Sequence, residues 1–336
     1  MGRAGRPFQM GEAQMAQLVG VLNMSHGPFT NLAPEKWENV RQSRPPYRSD
    51  VPVETEEERV TKAARIRAGI DVMNAKLAEM RPDVLVMFGD DQMENFDFNN
   101  YPSLSVYVGD EFKGPDNSTR GKPDEYHTVK GYPPLAVHLL RSLIQSGFDP
   151  AFQMQLQNDK GMCHAIMRPL EFFNNYDIPV VPLLANGYYP PQLPAKRCYE
   201  IGKAARIAID AFPEDIRVVG IGSGGMWHTP GRDESYIDEE FDQTLLRYLE
   251  KGDIQGMAEF FDSYEVPSGD KSQQVLGGIS GMTGMDWISG PQMGTRETCE
   301  WIAASAMVDG RPQTIVDYVP VYASPIGTAF AFCDSV

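Results

Sequence analysis

The feature that most narrows the fold is a set of short apolar runs, each followed by a polar or glycine-rich turn. Val84-Leu85-Val86-Met87, Ile178–Leu184 (IPVVPLL) and Ile216–Ile221 lack the polar alternation of a half-exposed strand. Each therefore reads as a strand buried on both faces. Helical spacing falls between them, over Glu54–Met80, Pro134–Ser146 and Ala195–Ala211. Strands alternating with helices predict an α/β fold: one large domain over residues 1–336, with a mostly parallel central sheet and helices on both faces. In such a sheet, ligands bind in the crevice beyond the carboxyl ends of the strands. The stretch Asp83–Phe98, DVLVMFGDDQMENFDF, delivers Asp90, Asp91, Gln92, Glu94 and Asn95 to that edge.

Taken in order, residues 1–14 are polar and read as a loose arm. Gln17–Asn23 reads as the first strand and ends in Met24-Ser25-His26-Gly27-Pro28. Residues 31–53 are rich in Pro and Arg, an irregular excursion. The helix over Glu54–Met80 has an apolar stripe of Val60, Ala63, Ile66, Ile70, Val72 and Leu77, and Glu56, Glu57 and Glu58 suit the positive end of its dipole. Ser103–Val108 is a short strand. Gly109–Lys130 reads as a surface loop long enough to act as a lid, with a solvated His127. Phe152–Leu156 is a further strand, leading into the polar turn Asn158–His164. Asn186–Pro191 makes a rigid aromatic loop. Gly222-Ser223-Gly224-Gly225 follows a strand but has neither G-x-x-x-x-G-K-[ST] nor G-x-G-x-x-G spacing, so it is not a nucleotide cradle. Helices are predicted near 237–250, 254–263 and Glu297–Met307, with a Gly/Met-rich segment at 277–294. Thr314–Ala323 and Ala329–Cys333 alternate like edge strands.

Composition excludes several classes of function. The net charge of −16 comes with no compensating basic cluster, which argues against nucleic acid. No apolar run is long enough to span a membrane, and no signal peptide opens the chain, so a cytoplasmic location is expected. Cys163, Cys198, Cys299 and Cys333 form no C-x-x-C pair and fit reduced thiols rather than a disulfide frame or zinc site.

Three of the five histidines, His26, His164 and His228, lie on loops after apolar segments. His138 lies on a helix face. Two histidines and a carboxylate on one face of a metal, with open positions opposite, is the arrangement of non-haem Fe(II) oxygenases. Spacing alone does not single it out.

The motifs themselves resemble a known family. Met24–Pro28, the strand with its Gly89-Asp90-Asp91-Gln92 turn, His164 followed by Pro169-Leu170, and Tyr189-Pro190-Pro191 with Lys196-Arg197-Cys198 occur in order. Gly224–His228, Glu240-Phe241-Asp242 and Glu297-x-x-x-Trp301 follow. Together, over about residues 17–310, they resemble the class III extradiol ring-cleavage dioxygenases, in particular the catalytic β-subunit type of the protocatechuate 4,5-dioxygenases. The resemblance implies Fe(II) held by His26 and Glu297, with His228 as the acid–base residue and His164 as a second-sphere histidine holding oxygen or substrate. It implies a catechol-like substrate and O2. Tyr188, Tyr189 and Trp227 are candidates to wall the ring. The family often pairs this chain type with a small α subunit, which has no clear counterpart within the sequence. A homo-oligomer is expected, with a separate small α subunit as the alternative, and 31–53 and 109–130 are candidate covers for the mouth.

One match fails. Where the family places its second ligand histidine, this chain has Gln92. A glutamine offers a neutral carbonyl oxygen, a weaker donor to a transition metal than imidazole nitrogen. Gln92 as a weak ligand, a neighbouring Asp in its place, or a site without iron all stay open. So do two other functions: a non-catalytic, metal-free subunit or binding protein of the same fold, and a hydrolase or lyase using another divalent metal at Asp90, Asp91 and Glu94.

Overall fold

A computed structural model describes residues 15–115, 126–157, 159–189, 191–273, 290–334 and 336. The arm at 1–14, most of the Gly/Met-rich segment, Asn158 and Pro190 lie outside these.

The central sheet has eight strands: β1 (Gln17–Ser25), β2 (Val84–Asp90), β3 (Leu104–Tyr107), β6 (Ala151–Gln153), β7 (Val180–Ala185), β8 (Arg217–Gly224), β9 (Thr314–Val321) and β10 (Ile326–Cys333). Their spatial order is β6-β3-β7-β2-β8-β1-β10-β9. The four strands β7, β2, β8 and β1 run parallel, which brings their carboxyl ends to one edge. Every residue of β2 and β7 is buried, as their unbroken apolar runs require. One face is covered by α3 (Pro133–Gln145), α5 (Ala195–Asp210), α6 (Glu239–Lys251), α7 (Ile254–Ser263) and α8 (Thr298–Ala306). The other is covered by α1 (Trp37–Gln42), α2 (Glu56–Met80) and α4 (His164–Phe172). None of the described helices is long and apolar enough to cross a membrane.

α2 starts at a capping box: Thr55 accepts from the Glu58 N–H while the Glu58 carboxylate accepts from the Thr55 N–H. Its buried face is Ala63, Ile66, Gly69, Ile70, Met73, Leu77 and Met80. Val60 and Val72, assigned to the stripe from the sequence, are instead 51% and 38% exposed. At about 100° per residue they lie roughly a third of the way round the helix from that face, where Met73 and Met80 are buried instead.

Three other expectations are corrected. The excursion at 31–53 contains α1, anchored by a fully buried Trp37 whose indole N–H donates to the Leu32 carbonyl. The described ends of 109–130 form a hairpin, β4 (Glu111–Pro115) with β5 (Tyr126–Lys130), and His127 stacks on Tyr176. The strand at Ala329–Cys333 is not at an edge. It belongs to β10, buried throughout and paired on both sides, with β1 and β9.

Candidate metal centre and cavity

The loops leaving β1, β2, β7 and β8 meet at the carboxyl edge of the sheet around a cavity of about 290 Å³. His26, Gln92, His164, Tyr188, His228 and Glu297 all line it. Residues spread over some 270 positions of chain are thus gathered because parallel strands end side by side.

Glu297 is the hub. It closes the tight turn Met293–Glu297 that feeds α8, rather than lying within the helix. That turn can approach β8 because residue 224 is glycine: a Cβ there would stand 2.1 Å from the Glu297 carbonyl oxygen. The glycine that ends β8 therefore makes room for a carboxylate turn. One carboxylate oxygen, Oε2, lies 3.2 Å from His26 Nε2, and the other, Oε1, lies 3.2 Å from His228 Nε2 and 2.8 Å from Gln92 Nε2. His26 and Glu297 are each 3% exposed or less, so water does not screen the pair.

The far nitrogen of each histidine is also fixed. His26 Nδ1 lies 2.9 Å from Ser223 Oγ, and the His26 carbonyl accepts from Arg168. A tautomer donating Nδ1–H to Ser223 aims the Nε2 lone pair at the Glu297 carboxylate, a pairing that a cation between them satisfies. His228 Nδ1 donates to the Met226 carbonyl at 2.7 Å. His164 Nδ1 sits 2.8 Å from Glu94 Oε2, and its ring meets that of His26 edge-on at 4.7 Å. Ring nitrogens of His26 and His164 and an oxygen of Asp90 all lie within 4.8 Å of one another, close enough to share an ion.

These surroundings set protonation. Burial drives the His26 pKa down, against the pull of Glu297, and keeps the imidazole neutral. His228 is equally buried, but Glu297 and the Met226 carbonyl outweigh desolvation and raise its pKa. Burial opposes the charge on Glu297, yet the two histidines hold its carboxyl well below the usual range. Asp90 moves the other way: burial and the charge of Glu297 push its carboxyl up. Burial likewise pushes the Glu300 carboxyl up.

Of the aromatic candidates, only Tyr188 lines the cavity. Tyr189 packs against Phe98, Tyr101 and Tyr188 beside it. Trp227 is a correction: its ring is fully buried in the core against Tyr236, Phe241 and Tyr264, because Asp242 holds its backbone N–H and turns the ring inward. Arg44, from the excursion, lines the cavity and was not singled out in the sequence. None of the described residues of 109–130 does so. Asp91, Glu94 and Cys163 are also close enough to share an ion. However, Asp91 caps the N–H groups of Met93, Asn95 and Phe96, and Glu94 is engaged by His164, so the acid-rich turn has a structural task.

A mostly parallel sheet with a buried His–carboxylate–His constellation at its strand ends defines an α/β protein whose candidate site gathers donors suited to a cation. Residues 21–284 match the family described as the catalytic LigB subunit of aromatic ring-opening dioxygenase, and the chain belongs to that family, the class III extradiol dioxygenases. Glu297 lies beyond the matched residues, so its place in the site rests on the geometry. Among relatives, the chain is 28% identical over 169 residues to a gallate dioxygenase of Pseudomonas putida, covering 50% of this chain and 47% of that protein. It is 28% identical over 186 residues to 2,3-dihydroxyphenylpropionate/2,3-dihydroxicinnamic acid 1,2-dioxygenase 2 of Dechloromonas aromatica, covering 54% of each. A 2,3-dihydroxyphenylpropionate/2,3-dihydroxicinnamic acid 1,2-dioxygenase of Photorhabdus laumondii is 22% identical over 298 residues, covering 74% of this chain and 90% of that protein. The chain spans about half the length of the first two.

Proposed function

We propose that this chain opens the ring of a catechol-like aromatic with O2, using Fe(II) held by His26 and Glu297. The observation that carries this is the 3.2 Å approach of neutral His26 Nε2 to Glu297 Oε2, with His228 on the carboxylate's other oxygen, at the floor of a ring-sized cavity. Two buried acceptors facing each other are a cation's donor set. Bound iron supplies acidification of a substrate hydroxyl and the activation of oxygen.

The chain's own residues do the rest. His228, anchored through Nδ1, presents Nε2 to the cavity and exchanges a proton with the substrate hydroxyl there, a role worth typically ~10²–10⁴-fold in rate. His164, anchored through Nδ1 on Glu94, faces His26 across the site and holds oxygen or substrate. Tyr188, Phe29 and Ile326 give the ring apolar walls. Arg44 has no ion-pair partner among the described residues, and suits a substrate that carries a carboxylate. The excursion at 31–53 supplies part of the mouth, in the place of a small α subunit.

The test is oxygen uptake by anaerobically prepared, Fe(II)-loaded protein on a panel of dihydroxybenzoates. His228→Ala should abolish turnover while leaving bound iron and the unfolding temperature unchanged. No uptake with any substrate by iron-loaded protein refutes the proposal. A second reading, a metal-free binding protein of the same fold, draws on the Gln92 amide, whose nitrogen contacts both Asp90 and Glu297. It predicts ligand binding that His228→Ala leaves intact and that no metal alters.

A further inference from the structure

We propose that Asp90, not Gln92, is the third protein ligand of the cation held by His26 and Glu297, and that Gln92 is a positioning residue which aligns the two carboxylates. This rests on the metal-dependent reading above and deepens it.

The first observation is an unused donor. Asp90 is the last residue of β2 and is 0% exposed. Its Oδ2 accepts from Gln92 Nε2 at 3.0 Å, but Oδ1 has no hydrogen-bond partner among the described residues. A buried carboxylate oxygen without a donor is expensive. An oxygen of this carboxylate lies within 4.8 Å of ring nitrogens of both His26 and His164, which places the carboxylate at the site.

The second observation removes the competitors. Asp91 accepts from the Met93 and Phe96 N–H groups through Oδ1 and from Asn95 through Oδ2, at 2.8–3.2 Å. Moving it to a cation would unmake the turn. Glu94 accepts from the His164 backbone N–H and faces its Nδ1 with both oxygens. Gln92 turns its amide nitrogen, which has no lone pair to give, towards Asp90 at 3.0 Å and Glu297 at 2.8 Å. One NH2 group thus bridges two carboxylates. It leaves Asp90 Oδ1 and Glu297 Oε2 free of that bridge.

Charge supports the same assignment. Asp90 and Glu297 are two carboxylates linked through a single amide in a buried site, and they repel unless a cation or a proton intervenes. A divalent ion between them and His26 brings the set to neutrality. Two carboxylates and one imidazole form a harder donor set than two imidazoles and one carboxylate, so affinity should shift towards Mn(II) and Fe(II) relative to softer ions.

The experiment is a metal titration that needs no turnover. Chelator-treated protein is titrated anaerobically with Fe(II), and separately with Mn(II) followed by the loss of its aqueous EPR signal. Wild type, Asp90→Asn, Gln92→Ala and Asp90→Asn/Gln92→His are compared, with unfolding temperatures measured with and without metal. Wild type should bind one ion and gain thermal stability from it. Asp90→Asn should lose about 100-fold or more in affinity, beyond the ~10–100-fold typical of an outer-shell partner. Without metal it should unfold at or above the wild-type temperature, because the wild type must bear the repulsion of two linked carboxyls or take up a proton. Gln92→Ala should lose about tenfold, and the double variant should recover binding through its new imidazole. Asp90→Asn binding within threefold of wild type, or Gln92→Ala losing more than Asp90→Asn, overturns the assignment and leaves the metal-dependent reading standing. Wild type binding no ion overturns both.

Discussion

Gly294→Ala offers a sharp test of His228 as the proton-transfer residue. A Cβ at position 294 would lie 2.3 Å from His228 Nε2, 2.4 Å from Cδ2 and 2.8 Å from Cε1. Three ring atoms are met at once, so rotating the imidazole in its own plane gives no relief. Gly294 is not among the residues with positive φ, so alanine there costs space rather than backbone strain. Restoring an ordinary carbon contact requires a ring displacement of about 1 Å. The 3.2 Å approach of Nε2 to Glu297 Oε1 then opens beyond hydrogen-bond range. A misplacement of that size costs roughly 10²-fold, about 2.7 kcal/mol on the barrier. The assay is steady-state oxygen uptake on a dihydroxybenzoate, with iron content and unfolding temperature measured on the same preparation. We expect kcat to fall about 100-fold, with one iron still bound. Wild-type kcat in a folded, iron-loaded Gly294→Ala protein refutes the role given to His228.

Three further outcomes are expected. Asp242, fully buried, accepts from the Trp227 N–H and the Tyr318 hydroxyl, and burial raises its carboxyl pKa to about 8. The unfolded chain releases this proton near pH 4 and the folded one holds it to about pH 8, so its contribution to stability falls as pH rises through that window. Asp242→Asn should therefore gain on wild type in urea unfolding between pH 5 and 8; an unchanged difference across that range refutes the reasoning. Arg44→Gln should raise KM about tenfold for dihydroxybenzoates, from the loss of a charge-assisted hydrogen bond, and leave KM for unsubstituted catechol unchanged; equal shifts for both would show that Arg44 does not read a carboxylate. Asn95 joins the acid-rich turn to the His164 loop, donating to the Gly161 carbonyl at 2.7 Å and accepting from the Cys163 N–H at 2.9 Å. Asn95→Ala strands two buried backbone groups and should cost about 1–3 kcal/mol for each, read by denaturant unfolding.

The sheet was legible in the sequence because β2 and β7 are built on unbroken apolar runs and β8 shows no polar alternation, a pattern that fits strands covered on both faces. The convergence of His26, His164, His228 and Glu297 was legible through the family's motifs; the sheet alone permits it without singling it out. What escaped was decided by three-dimensional neighbours. Asp90 and Asp91 are adjacent and chemically identical, yet backbone N–H groups engage one and leave an oxygen of the other unpartnered. The Trp227 side chain follows Asp242, fifteen residues away, and no local pattern announces that bond. Val60 and Val72 misled because β-branched residues suggest a core wherever they occur, whereas the face of α2 is set by the fit of Gly69 beneath Phe330. The uniform burial of β10 had a signal: Ala329–Cys333 carries no charged residue, unlike a strand that meets water.

The pairing of β1 with β10 has a consequence for how the protein comes to be active. Ser25, one residue before His26, accepts through Oγ from the Ala329 N–H, a contact spanning 304 residues of chain. The residues of β2, β7 and β8 all precede β10 in the chain and leave the ribosome before it emerges. Until then β1 has one bare margin, open to association with other nascent chains. Closing that margin is what ties Ser25, next to His26, to β10. A cation held by His26, as proposed above, would therefore be acquired late, and removal of β10 should yield a chain that aggregates rather than one that merely turns over slowly.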